Sequence, residues 1–216
     1  MRRLFEAPPL RGVPIVAIGI PADDELDVEE DSEHEPRRAR LGAESVELMG
    51  AAPVPGDLLR GPFAVPPARC ADGPLTDAWL SRGLVFLSTL PNIHKHACAA
   101  QIVLLESHVH ELLPRARIAH VSADAASAWA EMDLMHASIR AAGYSLAGAT
   151  DADRASFVDS LGVGVKGHTR IAHGLFALRD GVFLGAEIPG DQLRTPRVLE
   201  FVTRVARLSQ EAGGSA

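Results

Sequence analysis

The stretch from Gly83 to Leu113, GLVFLSTLPNIHKHACAAQIVLLESHVHELL, leaves this chain few folds to choose from. Leu84 to Leu90 is apolar and rich in β-forming residues, so it reads as a buried strand, and Pro91 closes it. Apolar residues then recur at Ile102, Leu105, Val109 and Leu112, the spacing of one helix face. The unit is strand, loop, helix. Cys98 falls in the first turn of that helix, where unpaired backbone N–H groups and the positive end of the macrodipole favour a thiolate over a thiol. That placement suits redox chemistry.

The rest of the chain extends this unit. Ala116 to Ser122 reads as a second strand, parallel to the first because a helix connects them. Asp124 is placed to N-cap a further helix that carries Trp129, Met132, Met135 and Ile139 toward Gly143. Tyr144 to Ala149 reads as a short strand or loop, and Asp151 to Leu161 as a short helix. Gly174–Leu178 and Val182–Ala186 form a hairpin around Arg179-Asp180-Gly181. Thr195-Pro196 then opens a closing helix through about Leu208, with Leu199 and Val202 expected inward. Upstream, a short strand pair through Gly50 leads into a Pro-rich path from Pro53 to Pro74, expected to wrap the surface. Strands alternating with helices and ending in a hairpin and a helix predict an α/β sandwich.

At 216 residues the chain suits one domain with a sizeable core. The expected divisions are an N-terminal extension over 1–43, a domain over 44–210 and a flexible tail over 211–216. The net charge of −7 is concentrated in residues 23–35, DDELDVEEDSEHE, which hold nine acids and no Lys or Arg. That run reads as a solvated linker, with an acidic docking arm as the alternative. The body is close to neutral and shows no basic stripe, so no nucleic-acid partner is expected. Val13 to Ile20, behind Arg2 and Arg3, is at the lower limit for a signal-peptide core and has no small-residue cleavage site after it. It is also far short of the roughly 20 residues a membrane span requires. Two cysteines, Cys70 and Cys98, do not make a disulfide framework. A cytoplasmic protein with no membrane partner is the expectation.

The segment FLSTLPNIHKHACAAQ resembles the active-site loop of thiol peroxidases, a branch of the peroxiredoxins, in which P-S-I-D-T-x-x-C delivers the peroxide-attacking cysteine. Pro91, Ile93 and Cys98 occupy the matching positions. Val121-Ser122-Ala123-Asp124 is similar to the family's V-S-x-D strand end, and Phe157 with Leu161-Gly162-Val163 to its F-x-x-x-Y-G-V segment. Val46 to Asp57 and Phe63 are similar to its entry strand and G-D-x-x-x-x-F opening, so the resemblance spans about residues 44 to 208. It implies a thioredoxin-like fold of peroxiredoxin type, a central mixed β-sheet flanked by helices. It also implies a peroxide substrate, a homodimer, a thioredoxin-like or small-thiol reductant and no bound organic cofactor.

Two departures bear on the chemistry. The family's threonine three residues before the cysteine is Lys95, whose ammonium donates hydrogen bonds but cannot accept the peroxide proton. The family's arginine at the head of a later strand is matched by His173, with Arg170 three residues earlier as a substitute. Losing two charge-assisted hydrogen bonds of roughly 1.5 to 3 kcal/mol each would slow the attack by about 10² to 10⁴. The resolving cysteine is missing too: its position falls in Glu131-Met132-Asp133. Cys98 therefore works alone, with its sulfenic acid reduced by an external thiol, or Cys70 resolves it from an irregular segment.

The alternation of His94, His96 and Cys98 in an extended loop would give an N, N, S metal set. The other reading for His94 and His96 is a solvated loop. His108 and His110 lie about 200° apart around a helix and cannot share one ion. His120 reads as a buried strand residue, and Gly162 and Gly164 are too weak a pattern for a phosphate loop. The functional expectation is a thiol peroxidase acting through Cys98, with Pro91 shielding the loop and Lys95 with His173 or Arg170 supplying positive charge. The alternative is a thioredoxin-fold binding or regulatory protein that kept the scaffold and lost efficient catalysis.

Overall fold

The computed structural model describes residues 36–135 and 139–213. The acidic run 23–35 and the segment Val13–Ile20 lie outside the described residues. The elements in chain order are β1 (Arg38–Leu41), β2 (Glu44–Met49), β3 (Ala64–Val65), β4 (Pro67–Arg69), β5 (Leu75–Thr76) and α1 (Asp77–Leu80). They continue with β6 (Leu84–Leu90), α2 (His96–Leu112), β7 (Arg117–Ser122), α3 (Ser127–Met135), β8 (Ala142–Ser145) and α4 (Asp151–Leu161). β9 (Gly164–Val165), β10 (Gly174–Arg179), β11 (Val182–Glu187) and α5 (Val198–Gly213) complete the chain. The central sheet runs in the order β11-β10-β6-β7-β8-β4. Its β6, β7 and β8 are mutually parallel, while β10, β11 and β4 pair antiparallel. This is the expected mixed sheet.

Alternation along the strands assigns the two faces. Phe86, Ile118, Leu175 and Ala177 point to one side, where Leu105 and Val109 of α2 and Phe201, Val202 and Val205 of α5 cover them. Val85, Leu87, Val121, Phe176 and Leu178 point to the other, against Phe63, Phe157 and Leu161. Phe63 meets Phe157 edge to face at 5.3 Å. No described helix is long and apolar enough to cross a membrane.

Several expectations are refined. The segment 53–74 does more than wrap the surface: Phe63 and Val65 are buried, β3 pairs with β5, and β4 extends the central sheet beside β8. β1 lies within 1–43, the stretch assigned to the extension, and pairs with β2, while α5 runs past 210 to Gly213. Asp124 does not cap α3, which starts at Ser127; its carboxylate is used elsewhere. Trp129 and Met132 are buried as expected, while Ile139 is buried beyond the end of the helix. Leu112, in the last turn of α2, is 40% exposed.

Leu199 is also outward, 53% exposed. The inward stripe of α5 is Val198, Phe201, Val202 and Val205, spaced i, i+3, i+4 and i+7. Two aliphatic residues, Val198 and Leu199, adjoin at its start, and only Val198 lies in phase with that stripe. Phe201→Ala should therefore cost about 3 to 5 kcal/mol of unfolding free energy in urea, and Leu199→Ala no more than about 0.5. Equal losses for both would refute this facing.

Candidate active site

β6 ends at Leu90, and the loop from Pro91 to Lys95 turns the chain into α2. Its turn is closed by Lys95 N donating to Asn92 O at 3.0 Å and His94 N to Asn92 Oδ1 at 3.1 Å. Ile93 is buried and pins the loop inward, while its N–H donates to Asp124 Oδ2 at 2.7 Å. On the outer side, Arg170 Nη1 donates to Pro91 O at 2.7 Å and lies 3.9 Å from Asp124 Oδ1. The loop is thus braced from both sides, and Asp124 at the end of β7 serves both braces. Lys95 is the N-cap residue of α2 but makes no side-chain cap, and Cys98 N donates to Lys95 O at 3.0 Å.

Cys98 sits in the first turn of α2 as the sequence predicts, but its thiol is not acidified. The residue is fully buried, packed in a cluster with Leu90, Ile93, Ile102, Trp129 and Met132. Burial pushes the thiol up to about 12; the Asp124 charge pushes the same way, while a backbone hydrogen bond at Asn92 and the Arg170 charge oppose it. The dipole at the helix N-terminus does not overcome that desolvation.

His173, just before β10, faces the sulfur, with Nε2 3.4 Å from Cys98 Sγ. Its other ring nitrogen, Nδ1, is 2.8 Å from Gln101 Oε1, and its backbone N–H donates to Gln192 Oε1 at 2.6 Å. Burial pushes the imidazole down to about 4. His173 is therefore neutral near pH 7 and does not supply the positive charge expected of it. The cations nearby are Lys95 and Arg170, both exposed. They line, with Pro91, Cys98 and His173, a cavity of about 530 Å³. Leu41 and Leu193 add an apolar rim.

The structure thus brings together Pro91, Lys95, Cys98, Arg170 and His173. It does not assemble His94, His96 and Cys98. The metal reading assumed an extended loop, but α2 begins at His96, so His96 and Cys98 diverge around the helix; both histidines are exposed and Cys98 is buried. Among the described residues, no group of three or more His, Cys, Asp or Glu side chains could hold a metal ion. Cys70 is an exposed free thiol at the end of β4, with φ +47°. His120 is buried in β7 as expected, 3.5 Å from Glu106 Oε1.

Gln101 was not singled out from the sequence, though a signal was present. It lies three residues after Cys98 and is buried beside the Ile102 and Leu105 stripe, a place where a polar side chain requires partners.

No family model matches the chain, and no curated protein matches it. Among solved structures it is similar to the thiol peroxidase from Chromobacterium violaceum, with 16% identity over 83% of this chain and 98% of that one and a TM-score of 0.67. It is similar to a peroxiredoxin-like protein from Aquifex aeolicus, with 16% identity over 80% and 97% and a TM-score of 0.63. Enterococcus faecalis AhpC gives 15% identity over 77% and 96%, with a TM-score of 0.59. These likenesses show the fold: thioredoxin-like, of the peroxiredoxin type.

The neutral pair at the site fixes a pH dependence of stability. An unfolded imidazole takes up a proton below its ordinary value of 6.5, whereas native His173 stays neutral down to about 4. The unfolded state therefore binds more protons in that window, and stability falls as pH drops from 6.5 to 4, by up to about 3 kcal/mol. On the alkaline side an unfolded thiol ionises above 9.0 while native Cys98 holds its proton to about 12, so stability falls again as pH rises. Urea titrations should show the acid slope in the native protein and a weaker one in His173→Leu; identical slopes would contradict a buried neutral imidazole.

Proposed function

We propose that this protein is a thiol-dependent peroxidase of one-cysteine type, reducing hydrogen peroxide or a small organic hydroperoxide through Cys98. The observation that carries the reading is the placement of Cys98 in the first turn of α2, on the wall of a cavity it shares with two cations and an imidazole. The fold shared with peroxiredoxins supports it. Sulfur attacks the terminal peroxide oxygen, an S–O bond forms as the O–O bond breaks, and the products are a sulfenic acid and water or an alcohol. One thiol condenses with the sulfenic acid to a mixed disulfide, releasing water, and a second thiol restores Cys98.

In this scheme Lys95 and Arg170 place positive potential at the cavity where the peroxide oxygens gain charge. Arg170 also holds the Pro91 carbonyl, so it keeps the loop closed over the sulfur. Pro91 shields that loop from water. The reductant is a thioredoxin-like protein or a small thiol, the assembly a homodimer and the compartment the cytoplasm. A second reading, a binding or regulatory protein on the same scaffold, is favoured by one observation: the Cys98 thiol is fully buried and held protonated.

The reduced protein, mixed with hydrogen peroxide, should form sulfenic acid at Cys98 at least about 100-fold faster than a free cysteine, by mass spectrometry. The effect should vanish in Cys98→Ser and persist in Cys70→Ser. Oxidation no faster than that of a free cysteine would select the binding reading. After one equivalent of peroxide the intact mass should show no intramolecular disulfide, because Cys70 is exposed and Cys98 is buried in an apolar cluster. A Cys70–Cys98 bridge would instead make this a two-cysteine enzyme.

A further inference from the structure

The hydrogen bonds around Gln101 fix which nitrogen of His173 carries the proton. The Gln101 side-chain amide nitrogen donates to Gly174 O at 3.0 Å and to Ser88 Oγ at 2.8 Å, with Thr89 O at 3.4 Å. Two of these partners are carbonyls, which only accept, so the amide cannot be turned over. Its oxygen therefore faces His173 Nδ1, 2.8 Å away. An oxygen acceptor there requires an N–H, so Nδ1 is protonated. In the neutral ring Nε2 then carries a lone pair, and that lone pair faces Cys98 Sγ at 3.4 Å.

We propose that His173 Nε2 is the proton acceptor for the Cys98 thiol, and that Gln101 is the positioning residue that holds the ring in the accepting tautomer. Within the peroxidase reading, on which this step's substrate rests, the thiol proton moves to Nε2 as sulfur attacks the terminal peroxide oxygen. The S–O bond forms, the O–O bond breaks, and the departing oxygen takes the proton from Nε2. Sulfur is oxidised to the sulfenic acid, the peroxide is reduced to water or alcohol, and the imidazole ends neutral. The step needs no prior thiolate, which fits a sulfur that burial keeps protonated.

The charged groups acting on this pair are few. Asp124 and Arg170 act on Cys98 with opposite signs, and Lys95 and His96 stand on the cavity wall. Asp124 is itself engaged by Ile93 N and Ser122 Oγ, so it does not compete for the thiol proton.

The test needs one measurement on unaltered protein and one on variants. Nitrogen-15 NMR of the His173 ring at pH 7 should show Nδ1 protonated and Nε2 bare; a proton on Nε2 would overturn the proposal. In a Cys70→Ser background, Cys98 should be modified by methyl methanethiolsulfonate, a small thiol reagent, about 10- to 100-fold more slowly in Gln101→Leu and His173→Leu. Gln101→Leu should also lose the tautomer preference, with urea midpoints showing that it remains folded at the pH used. Unchanged rates in both variants would overturn the proposal. Rates that fall with this reagent, in a protein whose Cys98 ignores hydrogen peroxide, would support the proton relay and refute the peroxidase reading.

Discussion

One buried amide ties the site together. Gln101 reaches from α2 to Ser88 on β6 and to Gly174 at the head of β10, so a single side chain sets the distance between the helix that carries the cysteine and two adjoining strands. The approach is close enough to dictate its neighbours. A side chain at position 174 would place its Cβ 2.6 Å from Phe176 and 2.8 Å from Thr89 Oγ1, so only glycine fits there. Thr89 in turn donates to Ala172 O at 2.9 Å, which fixes the backbone immediately before His173. Leaving such an amide without partners would cost about 1 to 3 kcal/mol, so the network favours one arrangement of the three elements strongly over any looser one.

The same packing decides an electrostatic contest. A helix N-terminus stabilises an adjacent negative charge by about 0.3 to 1 kcal/mol, and by about 2 in partly buried geometries. Full burial can move a pKa by about 3 to 5 units, each unit worth about 1.4 kcal/mol. Burial wins at Cys98, and it wins again at His173, where it removes the cation that an arginine would have supplied. The two effects have a joint consequence. A permanently charged arginine next to sulfur would favour a standing thiolate, whereas a neutral imidazole favours a thiol with a base beside it.

The order of elements was legible because it rests on periodicity. β6, α2, β7, α4 and the β10–β11 hairpin all announce themselves as apolar alternation or a helical stripe, bounded by Pro, Gly or a capping residue. β1 did not, since RARL next to a charged tail offers only one small apolar residue to bury, Ala39, and its place is set by pairing with β2. The site was half legible. Cys98 is legible from its place in the first turn of a helix, Pro91 and His173 from the resemblance to the thiol peroxidase pattern, and the three line one cavity. Asp124 was misread as a helix cap because a local hydrogen bond and a long-range one require the same residue type. Gln101 was overlooked because a glutamine on a helix usually faces water, and only the tertiary fold shows the carbonyls waiting for it.

A closed site imposes a further condition on the peroxidase function proposed for this chain. The sulfur is fully covered, so in the proposed reaction the oxidant and the reducing thiol have to reach it past the loop that covers it. The loop has a weak side. Lys95 gives α2 no side-chain cap, and the outer brace is a single exposed arginine on the Pro91 carbonyl, whereas the inner face is held by buried Ile93 and the carboxylate of Asp124. The Arg170 contact is one solvent-accessible hydrogen bond, whereas Gln101 is tied to Ser88 on β6 and to Gly174 at the head of β10.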